Sequence, residues 1–280
     1  MVPKPSLKSF EQYNDYLNLK SLILPNSIKK IEDFTFRNFT GLTDIIISEG
    51  VTHIQEYAFG ECANLTNIVL PNSLKAIGRS VFSGCKKLKS IVIPSGLSSI
   101  PEGAFRDCDS LTSIVIPGNI KTINPFAFYC TNLKTAIISE GVKHIEHSVF
   151  SNLESVYLPE SIKSIDGSAF RSNYIKHILY FGNARNLPSV YKDKTSIAFR
   201  KKLKNGEATD EEKRSWYTFI AKVALTTPDT TEFYRAAIKH LQLSPDDIDD
   251  LIKYTPSVEC RVFLLKHKRK ITLESGAIKL

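Results

Sequence analysis

Apolar positions recur with a long, regular period through the first two-thirds of the chain. The stretch LTNIVLPNSLKAI (65–77) returns as LKSIVIPSGLSSI (88–100) and again as LTSIVIPGNIKTI (111–123). Aligned on their first apolar residue, eight lines begin at Leu19, Leu42, Leu65, Leu88, Leu111, Leu133, Leu153 and Ile175, spaced 23, 23, 23, 23, 22, 20 and 22 residues apart. A repeat of this length predicts a solenoid, a stack of coils each too small to bury its own apolar face.

Each column of the repeat has a physical reading. The segment L-x-x-I-x-I alternates as a strand does: in LTNIVL, Ile68 and Leu70 point one way, Asn67 and Val69 the other. Pro25, Pro71, Pro94, Pro117 and Pro159 follow the strands; lacking an N–H for the ladder, they predict its end and a turn. The next apolar pair, such as Leu74 and Ile77, is three apart and predicts a tight, 3₁₀-like stretch on the opposite side. A small residue and a Phe then recur at Ala58–Phe59, Val81–Phe82, Ala104–Phe105, Ala127–Phe128, Val149–Phe150 and Ala169–Phe170, which places the ring at the centre of each coil. Burying one such side chain contributes roughly 1.5–3 kcal/mol. That offsets the ordering entropy only when neighbouring coils are present. The last three lines are shortened, so packing is expected to change near residue 150.

This pattern, carried by LTNIVLPNSLKAIGRSVFSGC (65–85) and LTSIVIPGNIKTINPFAFYC (111–130), resembles the leucine-rich repeats of the BspA-like, treponemal-type class. The resemblance covers residues 19–183. It implies a β-solenoid-like leucine-rich repeat fold of about eight 20–23-residue repeats, with a curved parallel sheet on the concave side. It further implies binding of a protein or other ligand, often at bacterial surfaces, and no chemistry. Residues 1–18 read as a worn half-coil, a cap or a cut end, with Tyr13 and Tyr16 where Phe and Cys would fall.

After Asn183 the period stops, and residues 184–280 read as a small all-α domain. A short helix is expected over 195–207. Thr209 and Glu212 form a capping box ahead of a helix at 210–225, with Trp216, Phe219, Ile220 and Val223 at helical spacing. Phe233, Ala237, Ile238 and Leu241 mark a third helix; Ser244-Pro245 and Thr255-Pro256 open a fourth and a fifth. The basic run from Lys266 to Lys270 is expected at the end of the fifth, where the helix dipole favours cations. The apolar faces of these helices are expected to close the open end of the stack.

Composition narrows the function classes. The chain has 280 residues, 42% hydrophobic and 24% charged, which is globular. Its net charge of +8 is spread evenly, 16 Lys/Arg against 12 Asp/Glu from Arg200 onward and 21 against 17 before it, so no dedicated nucleic-acid face is expected. No apolar run of about 18 residues predicts a membrane span. The opening MVPKPSLKSF lacks the apolar stretch of a signal peptide, which points to the cytoplasm; the resemblance points to the cell surface or secretion if a signal was removed.

The hydrolase G-x-S-x-G, phosphate-loop, dinucleotide and zinc-protease motifs are all missing, and no nucleophile–base pair emerges. The expectation is a non-enzymatic protein without catalytic residues, cofactor or metal. Cys62, Cys85, Cys108 and Cys130 share one column, where stacked side chains run parallel rather than toward one another, so free buried thiols are expected. A column along a rod does not converge on a zinc ion. His53 and His144 lie four coils apart and cannot share one metal ion either.

The candidate partner-binding residues are the strand positions that face away from the core. They form a polar column of Asp44, Asn67, Ser90, Ser113, Thr135, Ser155 and His177. Beside it runs a stripe of Ile46, Val69, Val92, Val115, Ile137 and Tyr157, bracketed by Ile23 and Leu179. Branched residues suit a pleated surface by propensity alone. An exposed apolar stripe is also what a partner uses. It could equally be covered by the helical domain or a second copy. Three functional readings stay open: an interaction module for an unknown protein or a glycan, a self-assembling scaffold, and an anionic-surface adaptor using the column Lys29, Lys75, Lys121, Lys143 and Lys163.

Overall fold

The computed structural model describes residues 19–170, 174–182, 184–225 and 230–274. The half-coil expected over residues 1–18 and the expected solenoid boundary at Asn183 lie outside them. The strands are β1 (Ser21–Leu24), β2 (Lys30–Ile31), β3 (Asp44–Ile47), β4 (His53–Ile54), β5 (Asn67–Val69), β6 (Ala76–Ile77), β7 (Ser99–Ile100), β8 (Ser113–Ile116), β9 (Thr122–Ile123), β10 (Thr135–Ile138), β11 (His144–Ile145), β12 (Ser155–Leu158), β13 (Ser164–Ile165) and β14 (His177–Tyr180). All pair in parallel with the same element of the neighbouring coil, in register, so that Ser21, Asp44 and Asn67 align, as do Ser113, Thr135, Ser155 and His177. Seven lines complete a turn. The eighth contributes only β14.

The longer strands make one side of the solenoid, in ladders β1-β3-β5 and β8-β10-β12-β14; the two-residue strands make a second side, β2-β4-β6 and β7-β9-β11-β13. This second ladder replaces the expected 3₁₀ stretch. The Lys75 amide donates to Thr52 O at 2.8 Å and the Gly78 amide to Ile54 O at 2.7 Å. A stacked coil presents an acceptor about 4.8 Å away at each step, so these amides pair between coils rather than within one. Coil four keeps its short strand, β7, but not its long one. No strand forms at 89–93, and among the described residues no backbone hydrogen bond joins that segment to coils three or five.

The third side is held in the opposite sense. Here the amides of Phe59, Phe82 and Phe105 donate forward, to Val81 O, Ala104 O and Ala127 O, at 2.9, 2.9 and 2.8 Å. The seven rings of Phe36, Phe59, Phe82, Phe105, Phe128, Phe150 and Phe170 stack with centroids 5.1–5.7 Å apart and planes within 20°. Such pairs contribute about 0.5–1.5 kcal/mol beyond their buried area. Two residues before the stacked Phe the backbone is left-handed in six of the seven coils, at Phe34, Tyr57, Ser80, Gly103, Phe126 and Ser148 with φ of 50–62°. Outside glycine, conformations of that kind cost on the order of 1 kcal/mol each and persist because the stack imposes them.

The cysteine column occupies the corner after the Phe. The thiols of Cys62, Cys85, Cys108 and Cys130 are free and buried, and donate to the carbonyls of Phe36, Phe59, Phe82 and Phe105 at 2.9–3.3 Å. The shortening of the late coils is confined to this corner. Leu to Phe spans 17 residues in all seven complete coils, as from Leu65 to Phe82 and Leu133 to Phe150, whereas the return to the next line falls from 6 residues at Phe105 to 5 at Phe128 and 3 at Phe150. The Ser151 hydroxyl then takes over the corner bond, to Cys130 O at 2.6 Å.

The C-terminal region holds two 3₁₀ turns, Ala184–Asn186 and Ser189–Lys194, and helices α1 (Ser196–Lys204), α2 (Asp210–Ala224), α3 (Thr230–Leu241), α4 (Pro245–Tyr254) and α5 (Val258–Glu274). Capping boxes start α2 at Thr209/Glu212 and α4 at Ser244/Asp247. Two expectations are corrected. The end of the stack is closed by Leu187 and Tyr191, which join the solenoid core, and by Thr195 and Ser196 at the start of α1, which pair with Ile178 and Tyr180 of β14; the apolar faces of the helices lie elsewhere. Tyr191 covers the last ring, and Thr195 and Ser196 take the free edge of β14; the larger apolar faces of α2 and α3 need more surface and take it from the long-strand side. Secondly, α5 continues to Glu274, so Lys266–Lys270 lies within it rather than at its dipole end, and Lys268 pairs with Asp249 of α4.

Candidate functional site

The outward positions of the long strands form two parallel columns, because period-2 alternation repeats in register from coil to coil. At the N-terminal end the polar column is knitted together. The Thr43 hydroxyl donates to Asp44 Oδ2 at 2.6 Å, and the Asn67 amide to Asp44 Oδ1 at 2.7 Å. These two bonds, that from Thr43 first, hold the Asp44 carboxyl below the usual carboxylate range. Thr66 in turn donates to Thr43 O at 2.9 Å. Beside this column Ile23, Ile46, Val69, Val92 and Val115 stand 41–84% exposed.

At coil six the same columns pass under the helices. Ile137, the ladder partner of Val115, is 5% exposed. Leu179 is fully buried, and Tyr157 packs edge-on to Phe233 of α3 with centroids 5.7 Å apart. Burial pushes the Tyr157 phenol up to about 12, helped by Glu140 and Glu160. On the polar column, His177 receives α2: its Nδ1 pairs with Ser155 Oγ and its Nε2 with Ser215 Oγ, both at 3.1 Å. Its ring lies 4.7 Å from that of Trp216. Burial, reinforced by Lys176 and opposed by Glu154, lowers the His177 pKa to about 4. Lys222 donates to the Thr135 hydroxyl at 3.2 Å. Thr135, Ile137, Tyr157 and His177 are thus occupied by the chain's own helices, with Ser155 bonded to His177, while Asp44, Ile46, Asn67, Val69, Ser90, Val92, Ser113 and Val115 face outward away from them.

Helical spacing marks one apolar face on α2 but not what that face covers, because periodicity carries no address. A cleft of about 410 Å³ remains where α1 and α2 meet coil eight, lined by Lys176, His177, Lys194, Lys202, Glu212 and Trp216 among others. Within it Lys202 pairs with Glu212, Lys176 turns to Glu154 outside it, and both nitrogens of its histidine are engaged.

In the lysine column, Lys29 donates to Asn26 O at 3.2 Å, and Lys121 to Gly118 O and Gly141 O at 2.9 and 3.3 Å. At those coils the ammonium closes a turn. Among the described residues, no cluster of three or more His, Cys, Asp or Glu side chains is arranged to hold a metal ion. Nor is any helix of these residues long and apolar enough to cross a membrane.

A family model of the BspA type leucine rich repeat region matches residues 8–100 and 75–194, in six copies. Among solved structures, the chain is similar to the T. pallidum leucine rich repeat protein TpLRR at 24% identity, covering 68% of this chain and 84% of that one, with a TM-score of 0.48. The pneumococcal vaccine antigen PcpA is similar at 19% identity over 64% of this chain and 40% of its own, with a TM-score of 0.39. A leucine rich cell surface protein from Faecalibacterium prausnitzii A2-165 is similar at 24% identity over 60% and 61%, with a TM-score of 0.33. The chain therefore spans less than two-thirds of the last two proteins. No curated protein matches it.

Proposed function

The chain belongs to the BspA-type leucine-rich repeat family, and from that premise we propose that it is a non-enzymatic binding protein whose uncovered strand face engages a protein partner. The carrying observation is the contrast within one stripe: the chain already covers Ile137, Tyr157 and Leu179 with its own apolar side chains and leaves Ile23 to Val115 bare. A contiguous exposed aliphatic stripe rimmed by hydrogen-bonding groups fits a protein interface. The binding residues in this reading are Asp44, Ile46, Asn67, Val69, Ser90, Val92, Ser113 and Val115. A protein is favoured over a glycan because the bare column is aliphatic and offers a sugar ring no aromatic plane to stack on.

The test is a pull-down from the native organism with the wild-type chain and with Val69→Asp plus Val115→Asp, compared by quantitative mass spectrometry. Both side chains point outward, so the variant is expected to fold, which circular dichroism checks. Loss of specific proteins from the variant's catch is the expected result. An unchanged catch means the strand face is not the site.

A further inference from the structure

Resting on that reading, we propose that the partner presents an amphipathic α-helix, lying across coils two to five along the axis of the stack and continuing the track that α2 occupies on coils six to eight. The track is measurable. Ser215, Trp216 and Phe219 of α2 contact His177 on coil eight, and seven residues after Ser215, Lys222 reaches Thr135 on coil six. Thr135, Ser155 and His177 are aligned partners in the ladder, so the two contacts are two strand spacings apart, about 9.6 Å. Seven residues of helix rise about 10.5 Å. Helix α2 therefore runs across the strands, in step with them.

Beyond coil six the same residue types continue in both columns, Ser113, Ser90, Asn67 and Asp44 beside Val115, Val92, Val69 and Ile46, with coil four stacked between β5 and β8 but outside their ladders, and α2 ends at Ala224. Continuity with this existing seat selects the occupant. Coils two to five span three coil spacings, about 14 Å at the sheet repeat, or about ten residues of helix. A helix places apolar side chains at i, i+3 and i+7, steps of about 4.5 and 6 Å, which track strands about 4.8 Å apart. An extended strand laid the same way repeats a side chain every 6.6 Å or so and falls out of phase within two steps. The hydroxyl and amide column takes long polar side chains, as Thr135 takes Lys222. The exposed Asp44 carboxylate at the far end favours a Lys or Arg there on the incoming helix.

The experiment uses the full chain and two labelled 14-residue peptides of identical Leu, Ala, Lys and Glu composition. One carries Leu at i, i+3, i+7 and i+10; in the other Leu alternates. Fluorescence anisotropy measures affinity, and hydrogen exchange locates the footprint. The helical peptide is expected to bind, to protect residues 44–47, 67–69 and 113–116, and to weaken at least about tenfold with Val92→Asp plus Val115→Asp. The pair Val92→Ser plus Val115→Ser serves if the charged variant fails to fold. If the alternating peptide takes that footprint instead, the helical occupant is wrong while the strand-face reading stands. If neither peptide protects those strands, the inference fails, and the pull-down alone judges the strand-face reading.

Discussion

The phenol of Tyr191 closes the ring column against Phe170. Its oxygen accepts the Phe170 amide at 3.1 Å and lies 2.8 Å from the carbonyls of both Gly167 and Phe170, and its ring meets the Phe170 ring at 63° with centroids 5.3 Å apart. Tyr191→Phe keeps the ring and leaves these backbone groups without their partner, which costs about 1–3 kcal/mol. Tyr191→Ala also opens a cavity over the last coil and costs about 3–5 kcal/mol. Urea unfolding monitored by circular dichroism is expected to rank wild type above Phe above Ala. Equal midpoints for all three would show that the stack is closed elsewhere.

The cysteine column is expected to be inert while the protein is folded. Burial pushes the Cys62 and Cys130 thiols up to about 12 and those of Cys85 and Cys108 well above the ordinary range. The thiolate is the reactive form, so all four stay silent toward Ellman's reagent at pH 8 and react together once guanidinium unfolds the chain. Prompt labelling of any of the four in the native protein contradicts their burial.

Acid is expected to loosen the seat of the helices. Burial lowers His177, which bonds Ser215, and His240, which bonds Ser196, to about 4; Lys176 and Arg200 add to the respective effects. In the unfolded chain each titrates near 6.5. Between about 6.5 and 4 the unfolded state therefore binds protons that the native state refuses. Stability is complete above the upper value and falls as pH drops through that window. Unfolding midpoints at pH 7.5, 5.5 and 4.5 check the sign, and His177→Gln should flatten the slope. A rise in stability on acidification contradicts this account.

Coil four should exchange its amides early. Segment 89–93 lies outside both strand ladders, whereas Asn67–Val69 pairs with β3 and Ser113–Ile116 with β10. Native-state exchange is expected to be faster at 89–93 than in either of those strands. Protection equal to that of β8 would place the segment back in the sheet.

The coil, its core and its outward columns are legible in the amino-acid sequence. A repeat states its own period, and side-chain alternation along a strand is a local property of each line. The basic run at Lys266–Lys270 misled because helix ends are weakly marked, and nothing local stops α5 before Glu274. The two-residue strands escaped the reading because the apolar spacing of Leu74 and Ile77 is blind to hydrogen bonds made with another coil.

Val115 and Ile137 show where the division falls. They occupy the same slot of consecutive repeats and face each other across the ladder, yet one is 41% exposed and the other 5%. The sequence by itself determined that both point away from the core, since that follows from chemistry within a few residues. Which of them meets water was decided by the tertiary structure, through helices more than seventy residues downstream whose apolar faces found their complement at coil six and stopped there.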